Sequence, residues 1–118
     1  MAGPASHPVL DRIGGTPLLD LTRYARGLGM EGVAILAKFE GANPGGSVKD
    51  RPAIQMIRSA IGDGRLDRRK AILDSTSGNT GIAYALIGRC LDSEAHIVAP
   101  ENLAEGRVAA PAAYAAQL

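Results

Sequence analysis

Apolar residues recur along this chain with two alternating periods. Val33-Ala34-Ile35-Leu36-Ala37-Lys38-Phe39 is a β-friendly apolar run and predicts a strand over residues 33–39. From residue 47 the period becomes helical. Ile54, Ile57 and Ile61 fall at i, i+3 and i+7, with Ala53, Met56 and Ala60 beside them, so one apolar stripe predicts a helix over residues 47–61. Ser47 is its candidate N-cap, with Asp50 three residues on in the position of a capping-box acid. Pro52 sits early enough to cost little, and Gly62-Asp63-Gly64 stops the helix. Lys70 to Leu73 leads into a short strand ending at Asp74. A second helix over residues 80–91 is apolar nearly all round (Ile82, Ala83, Ala85, Leu86, Ile87, Cys90, Leu91), which predicts burial on more than one side. Residues 95–99 read as another strand. A last helix starts near Asn102 or Leu103 and runs to the end, weakened by Pro111. Upstream, residues 1–8 read as a loose tail, 13–21 as a turn and short strand, and 22–28 as a short helix ended by Gly29.

Strands and helices alternate about every 30 residues, the signature of an α/β fold with a parallel sheet and flanking helices. Ligands of such sheets bind beyond the carboxyl ends of the strands. Two small-residue loops are expected at that edge: residues 41–49 after the second strand, and 74–80 after the third.

Composition narrows the function. The 118 residues suit one small domain, and 46% hydrophobic content supports a packed core. Thirteen basic residues against twelve acidic ones give no electrostatic case for nucleic acid. Tyr24, Phe39, Tyr84 and Tyr114 are the only aromatics, too few for base-stacking platforms. Cys90 is the single cysteine, which excludes an internal disulfide and a cysteine metal cluster and points to a reducing, cytoplasmic compartment. No metal site is expected. No apolar run reaches the roughly 18 residues that span a bilayer, and the N-terminus lacks the pattern of a signal peptide.

The two loops carry the chemistry. Asn43-Pro44-Gly45-Gly46-Ser47-Val48-Lys49-Asp50-Arg51 delivers a lysine to a helix start. The roughly half positive charge of a helix N-terminus disfavours an ammonium there, and a neutral amine is the nucleophile that condenses with an aldehyde. Gly45 and Gly46 let backbone approach a flat ligand. The competing reading of Lys49 is a surface lysine after a cap. Ser75-Thr76-Ser77-Gly78-Asn79-Thr80-Gly81 opens the second helix with hydroxyls and backbone N–H groups, a cradle for a carboxylate, to which Asn79 adds an amide. The competing reading there is plain helix capping by Ser77 or Asn79. A phosphate loop needs Gly-Lys-Ser/Thr in contiguity, which Val48-Lys49-Asp50 lacks, and no Gly-x-Gly-x-x-Gly follows a strand. His7 and His96 read as structural or exposed, Cys90 as a small core residue, and Arg65, Arg68, Arg69 and Lys70 as a solvated connector.

Three motifs in order, Ile13-Gly14-Gly15-Thr16-Pro17-Leu18, the Asn43 to Arg51 string and Thr76-Ser77-Gly78-Asn79-Thr80-Gly81, resemble the cysteine synthase (O-acetylserine sulfhydrylase) and cystathionine β-synthase family. Val98-Ala99-Pro100-Glu101-Asn102 resembles that family's next strand end. The family belongs to the tryptophan-synthase-β-like pyridoxal-phosphate enzymes (PLP fold type II). The resemblance implies an N-terminal segment over residues 1–42 and part of the small cofactor-binding domain over 43–118. It implies that Lys49 holds pyridoxal 5′-phosphate covalently and removes the α-proton of the substrate. It implies that Asn79 bonds the cofactor's ring oxygen, and that Thr76, Ser77, Gly78 and Thr80 grip the substrate carboxylate. The implied reaction converts O-acetylserine and sulfide to cysteine and acetate, in a homodimer.

Family members are longer than this chain, and their glycine- and threonine-rich phosphate loop lies downstream of the matched part. The chain is therefore expected to be a fragment, a truncated product or one piece of a split protein. Alone it is expected to be inactive, with apolar faces open to association. Two alternatives stay open: cystathionine β-synthase or a related lyase or dehydratase, and a non-catalytic remnant serving as an interaction module.

Overall fold

A computed structural model describes residues 5–76 and 78–98. The expected last helix, the end of the last strand at residue 99 and Ser77 lie outside them. A 3-10 turn at Leu10–Arg12 precedes β1 (Leu18–Asp20), α1 (Thr22–Gly27) and β2 (Leu36–Lys38). A second 3-10 turn at Glu40–Ala42 leads to α2 (Asp50–Gly62), β3 (Ile72–Ser75), α3 (Asn79–Cys90) and β4 (Ala95–Val98). The α/β class and the parallel pairing stand: β3 and β4 run parallel in the register Ile72↔Ala95 to Ser75↔Val98, with α2 and α3 packed around them.

The first two strands differ from expectation. They form a separate antiparallel pair, Leu18↔Lys38 to Asp20↔Leu36, rather than joining the parallel sheet. The run at 33–39 yields only three strand residues, as many as β1 pairs with, and Val33, Leu36 and Phe39 are about half exposed. Gly29 does end α1, with φ +78, and the Met30 N–H folds back onto the Ala25 carbonyl at 3.1 Å. The amino-terminal tail is also more anchored than expected. Ala5 is buried, and Leu10, 1% exposed, inserts into the core.

That core gathers Ala53, Ile54 and Ile57 of α2 with Ala83, Tyr84 and Ile87 of α3, Ile72 of β3, and Ala95 and Ile97 of β4. The stripe on α2 therefore faces inward as its spacing dictates, and α3 is buried on several sides as its composition dictates. Two glycines let α3 lie close to the strands. A Cβ on Gly88 would meet the Ser93 carbonyl at 2.8 Å and Ala95 Cβ at 3.3 Å, and one on Gly81 would meet Thr76 and Ile97 at 3.1 and 3.2 Å.

These contacts also fix direction. Gly81, early in α3, touches the carboxyl ends of β3 and β4, and Gly88, late in α3, touches their beginnings. Helix α2 packs against α3, and Met56 lies against Tyr84, whose hydroxyl donates to its sulfur at 3.5 Å. Helix α3 thus begins at the carboxyl edge of the parallel strands, whereas the loop before α2 follows β2, which belongs to another sheet.

Candidate active site

The loop before α2 is built around Asn43, which is 4% exposed. Its Oδ1 accepts from the Gly14 N–H at 2.9 Å. Its Nδ2 donates to the Glu40 carbonyl, to Glu40 Oε2 and to the Ser47 carbonyl at 2.8–2.9 Å. The Gly46 N–H closes a turn onto the Asn43 carbonyl at 2.8 Å, and Gly46 has φ +83, which only glycine takes without strain. Residues on both sides of position 42 are tied into one network.

Charge completes that network. Arg51 Nε and Nη2 clasp Glu40 at 2.7 and 2.9 Å, and Nη2 also donates to Thr16 Oγ1 at 3.0 Å. Thr16 Oγ1 in turn donates to Glu40 Oε1 at 2.9 Å. The Arg51 bond above all, with those from Asn43 and Thr16, outweighs desolvation and holds the Glu40 carboxyl down at about 2. Gly14, at φ +90, leaves room for the guanidinium, because a Cβ there would stand 2.9 Å from Arg51 Nη1.

Three capping expectations are corrected. Lys49, not Ser47, is the N-cap of α2, and no side chain caps it. Ser47 Oγ accepts from the Lys49 N–H at 3.1 Å, a local turn that spends the hydroxyl one step before the helix. Asp50 is not a capping-box acid. It is fully buried and accepts from the Gly45 N–H at 2.5 Å, and burial pushes its carboxyl up while that bond pulls it down. At the second loop Gly78 is the N-cap, again without a side-chain bond, so Asn79 does not cap α3.

Lys49 stands exposed at the start of α2. Its backbone is held from both sides, by the bond to Ser47 and by its carbonyl, which accepts from the Ala53 N–H at 3.1 Å. The chain has three lysines, and the other two amines are engaged. Lys38 donates to the Thr16 carbonyl, and Lys70 donates to the Arg65 carbonyl at 2.8 Å. The Lys49 amine makes no hydrogen bond or ion pair among the described residues.

The second loop leaves β3 with the Thr76 N–H on the Val98 carbonyl at 3.0 Å. The N–H groups of Gly81 and Ile82 turn back onto the Gly78 carbonyl. Those of Asn79 and Thr80 donate to no described residue. A Cβ built on Gly78, like one on Gly46, meets no described residue within 4 Å. Thr76 and Thr80 are half-buried and Asn79 is exposed. Lys49 therefore opens α2, and Gly78 and Asn79 open α3 at the carboxyl edge of the parallel strands.

The remaining candidates are quieter. Cys90 is half-buried at the rim of the core, and burial raises its thiol. His7 Nδ1 accepts from the Val9 N–H, and His96 lies 3.2 Å from Glu94. Arg65 and Arg69 pair locally with Asp63 and Asp67 on an exposed connector. Among the described residues no cluster could hold a metal ion, and no helix is long and apolar enough to cross a membrane. Sequence reading missed the work of Thr16, Glu40, Asn43, Asp50 and Arg51. The available signal was a set of charged and amide side chains in glycine-rich turns, where a solvated loop does not need them.

Pyridoxal-phosphate dependent enzymes match this chain over residues 9–118. A cysteine synthase of Aquifex aeolicus is 40% identical over 97% of the chain and 35% of its own length. A cystathionine beta-synthase of Saccharomyces cerevisiae is 40% identical over 95% of the chain and 22% of its own length. Among solved structures, O-acetyl serine sulfhydrylase isoform 3 from Entamoeba histolytica superposes with a TM-score of 0.85 at 37% identity, over 96% of this chain and 34% of that one. The chain thus spans about a third or less of the length of each.

Proposed function

Since the chain belongs to the family of pyridoxal-phosphate dependent enzymes, we propose that it forms the lysine-bearing half of a β-replacement site of cysteine synthase type. Its substrates on this reading are O-acetylserine and sulfide. The residues fit the cofactor. A primary amine without a partner among the described residues suits its aldehyde, and space that no described residue fills beside Gly46 and Gly78 suits a flat ring. Lys49 would hold pyridoxal 5′-phosphate, and the Asn79 amide would bond its ring oxygen. When bound, the cofactor supplies an electron sink for the pair left at the substrate's α-carbon.

The chain's own residues do the rest. Thr76, Ser77, Gly78 and Thr80 hold the substrate carboxylate at the start of α3, helped by the Asn79 and Thr80 N–H groups, which donate to no described residue, and by the helix dipole. Gripping the carboxylate orients the α-C–H toward the other helix start, where Lys49 Nζ takes the proton. Acetate leaves from the β-carbon, hydrosulfide takes its place, and Lys49 Nζ returns the proton to the α-carbon. The observation that supports this reading most is the pair of helix starts: Lys49 opens α2, Gly78 and Asn79 open α3, and the two helices pack together. A second reading, favoured by the yeast relative, keeps the same site and replaces sulfide by a homocysteine-type thiol.

Incubation with pyridoxal phosphate, reduction with borohydride and peptide mapping tests the site. Label concentrated on Lys49 is expected, and label spread equally over Lys38 and Lys70 would refute it in favour of a non-catalytic remnant. Turnover of O-acetylserine with sulfide against turnover with homocysteine separates the two enzyme readings.

A further inference from the structure

Asp50 is the one fully buried charged side chain among the described residues, and the chemistry above makes no use of it. A carboxylate on the first residue of a helix gains from the dipole while staying in water. Burying it costs free energy that only a specific bond offsets. Among the described residues its single bond is to the Gly45 N–H at 2.5 Å, five residues back, and its Oδ1 meets no partner. Gly45 is shaped to the carboxyl, since a Cβ there would fall inside it. Between these two residues lie Gly46, Ser47, the half-exposed Val48 and the exposed Lys49. Asn43 pins the other end of the loop through the Ser47 carbonyl at 2.9 Å.

We propose that Asp50 is a positioning residue for Lys49: its carboxyl latches the Gly45 N–H, closes residues 45–50 into a ring, and fixes the direction in which the lysine leaves the backbone. The proposal rests on the reading of Lys49 as the cofactor-bearing lysine. It accounts for a buried acid on the first residue of α2, where a carboxylate would otherwise stay in water. It also explains why an exposed lysine sits on a backbone held at both ends by buried anchors.

Asp50→Ala and Asp50→Asn test it with three readouts: helix content by circular dichroism, hydrogen exchange at the Gly45 amide without cofactor, and the Lys49 share of borohydride-trapped label. In Asp50→Ala, Gly45 exchange should quicken about tenfold. The Lys49 share of label should fall about threefold, toward equal labelling of the three lysines, as the amine loses its direction. Asp50→Asn, whose amide oxygen still accepts from Gly45, should restore both. Selective labelling of the wild type that a folded Asp50→Ala retains overturns this proposal alone. So does an Asp50→Asn chain that keeps its helix content yet labels indiscriminately, a result that also decides the matter should Asp50→Ala fail to fold. Indiscriminate labelling of the wild type instead overturns the Lys49 reading and the positioning role with it.

Discussion

Glu40 is the side chain through which the amino-terminal segment grips the lysine loop. Arg51, Asn43 and Thr16 all bond its carboxyl, and the Arg51 bond foremost takes its pKa from an ordinary 4.5 to about 2. A carboxyl held lower in the folded than in the unfolded chain stabilises the fold when ionised, and that contribution fades as pH falls through the folded value. The window is therefore pH 4.5 down to about 2. Glu40→Gln should melt earlier than wild type at neutral pH, and the gap should close toward pH 2 in a calorimetric series. A gap independent of pH would assign the effect to shape rather than charge. The pair is partly exposed, so the effect should be modest. At this scale the sequence distinguished Lys49 and Asn79 as candidates, because glycine and small hydroxyl residues around a lysine or an amide are chemically unusual. It could not distinguish Asp50, because an acid at a helix start has an ordinary local explanation and only burial reveals another.

Helices were more legible than strands. The i, i+3, i+7 stripe of α2 and the all-round apolar surface of α3 each state which faces need covering, and both are covered as written. The β2 run was apolar enough for a longer strand, but strand length depends on a pairing partner, and β1 offers only three residues. The close approach of α3 to β4 rests on Gly88, whose missing side chain leaves room for the Ser93 carbonyl. Backbone cannot yield as a flexible side chain can, so Gly88→Ala should cost about 1–3 kcal/mol. Urea denaturation would measure it, and an unshifted midpoint would mean that the turn at residues 91–94 relaxes freely.

Stability is unevenly distributed over the molecule. The core cluster draws on Leu10, α2, β3, α3 and β4, whereas β1, α1 and β2 contribute nothing to it and leave Leu18, Tyr24, Leu28 and Leu36 more than half exposed. Local opening follows the lack of buried contact. Amides of β1, α1 and β2 should therefore exchange well before those of α3 and β3, and uniform exchange across both regions would contradict this division. Local patterning by itself determined the α/β class, the two buried helices and the two chemically suggestive loops, since periodicity and glycine placement act over a few residues. Only the tertiary structure decided that β1 and β2 pair apart from the parallel strands. It alone packed α2 against α3, and it turned Asp50 inward onto Gly45. Those outcomes depend on contacts between distant segments or on exclusion of water, and neither is written in any short stretch of chain.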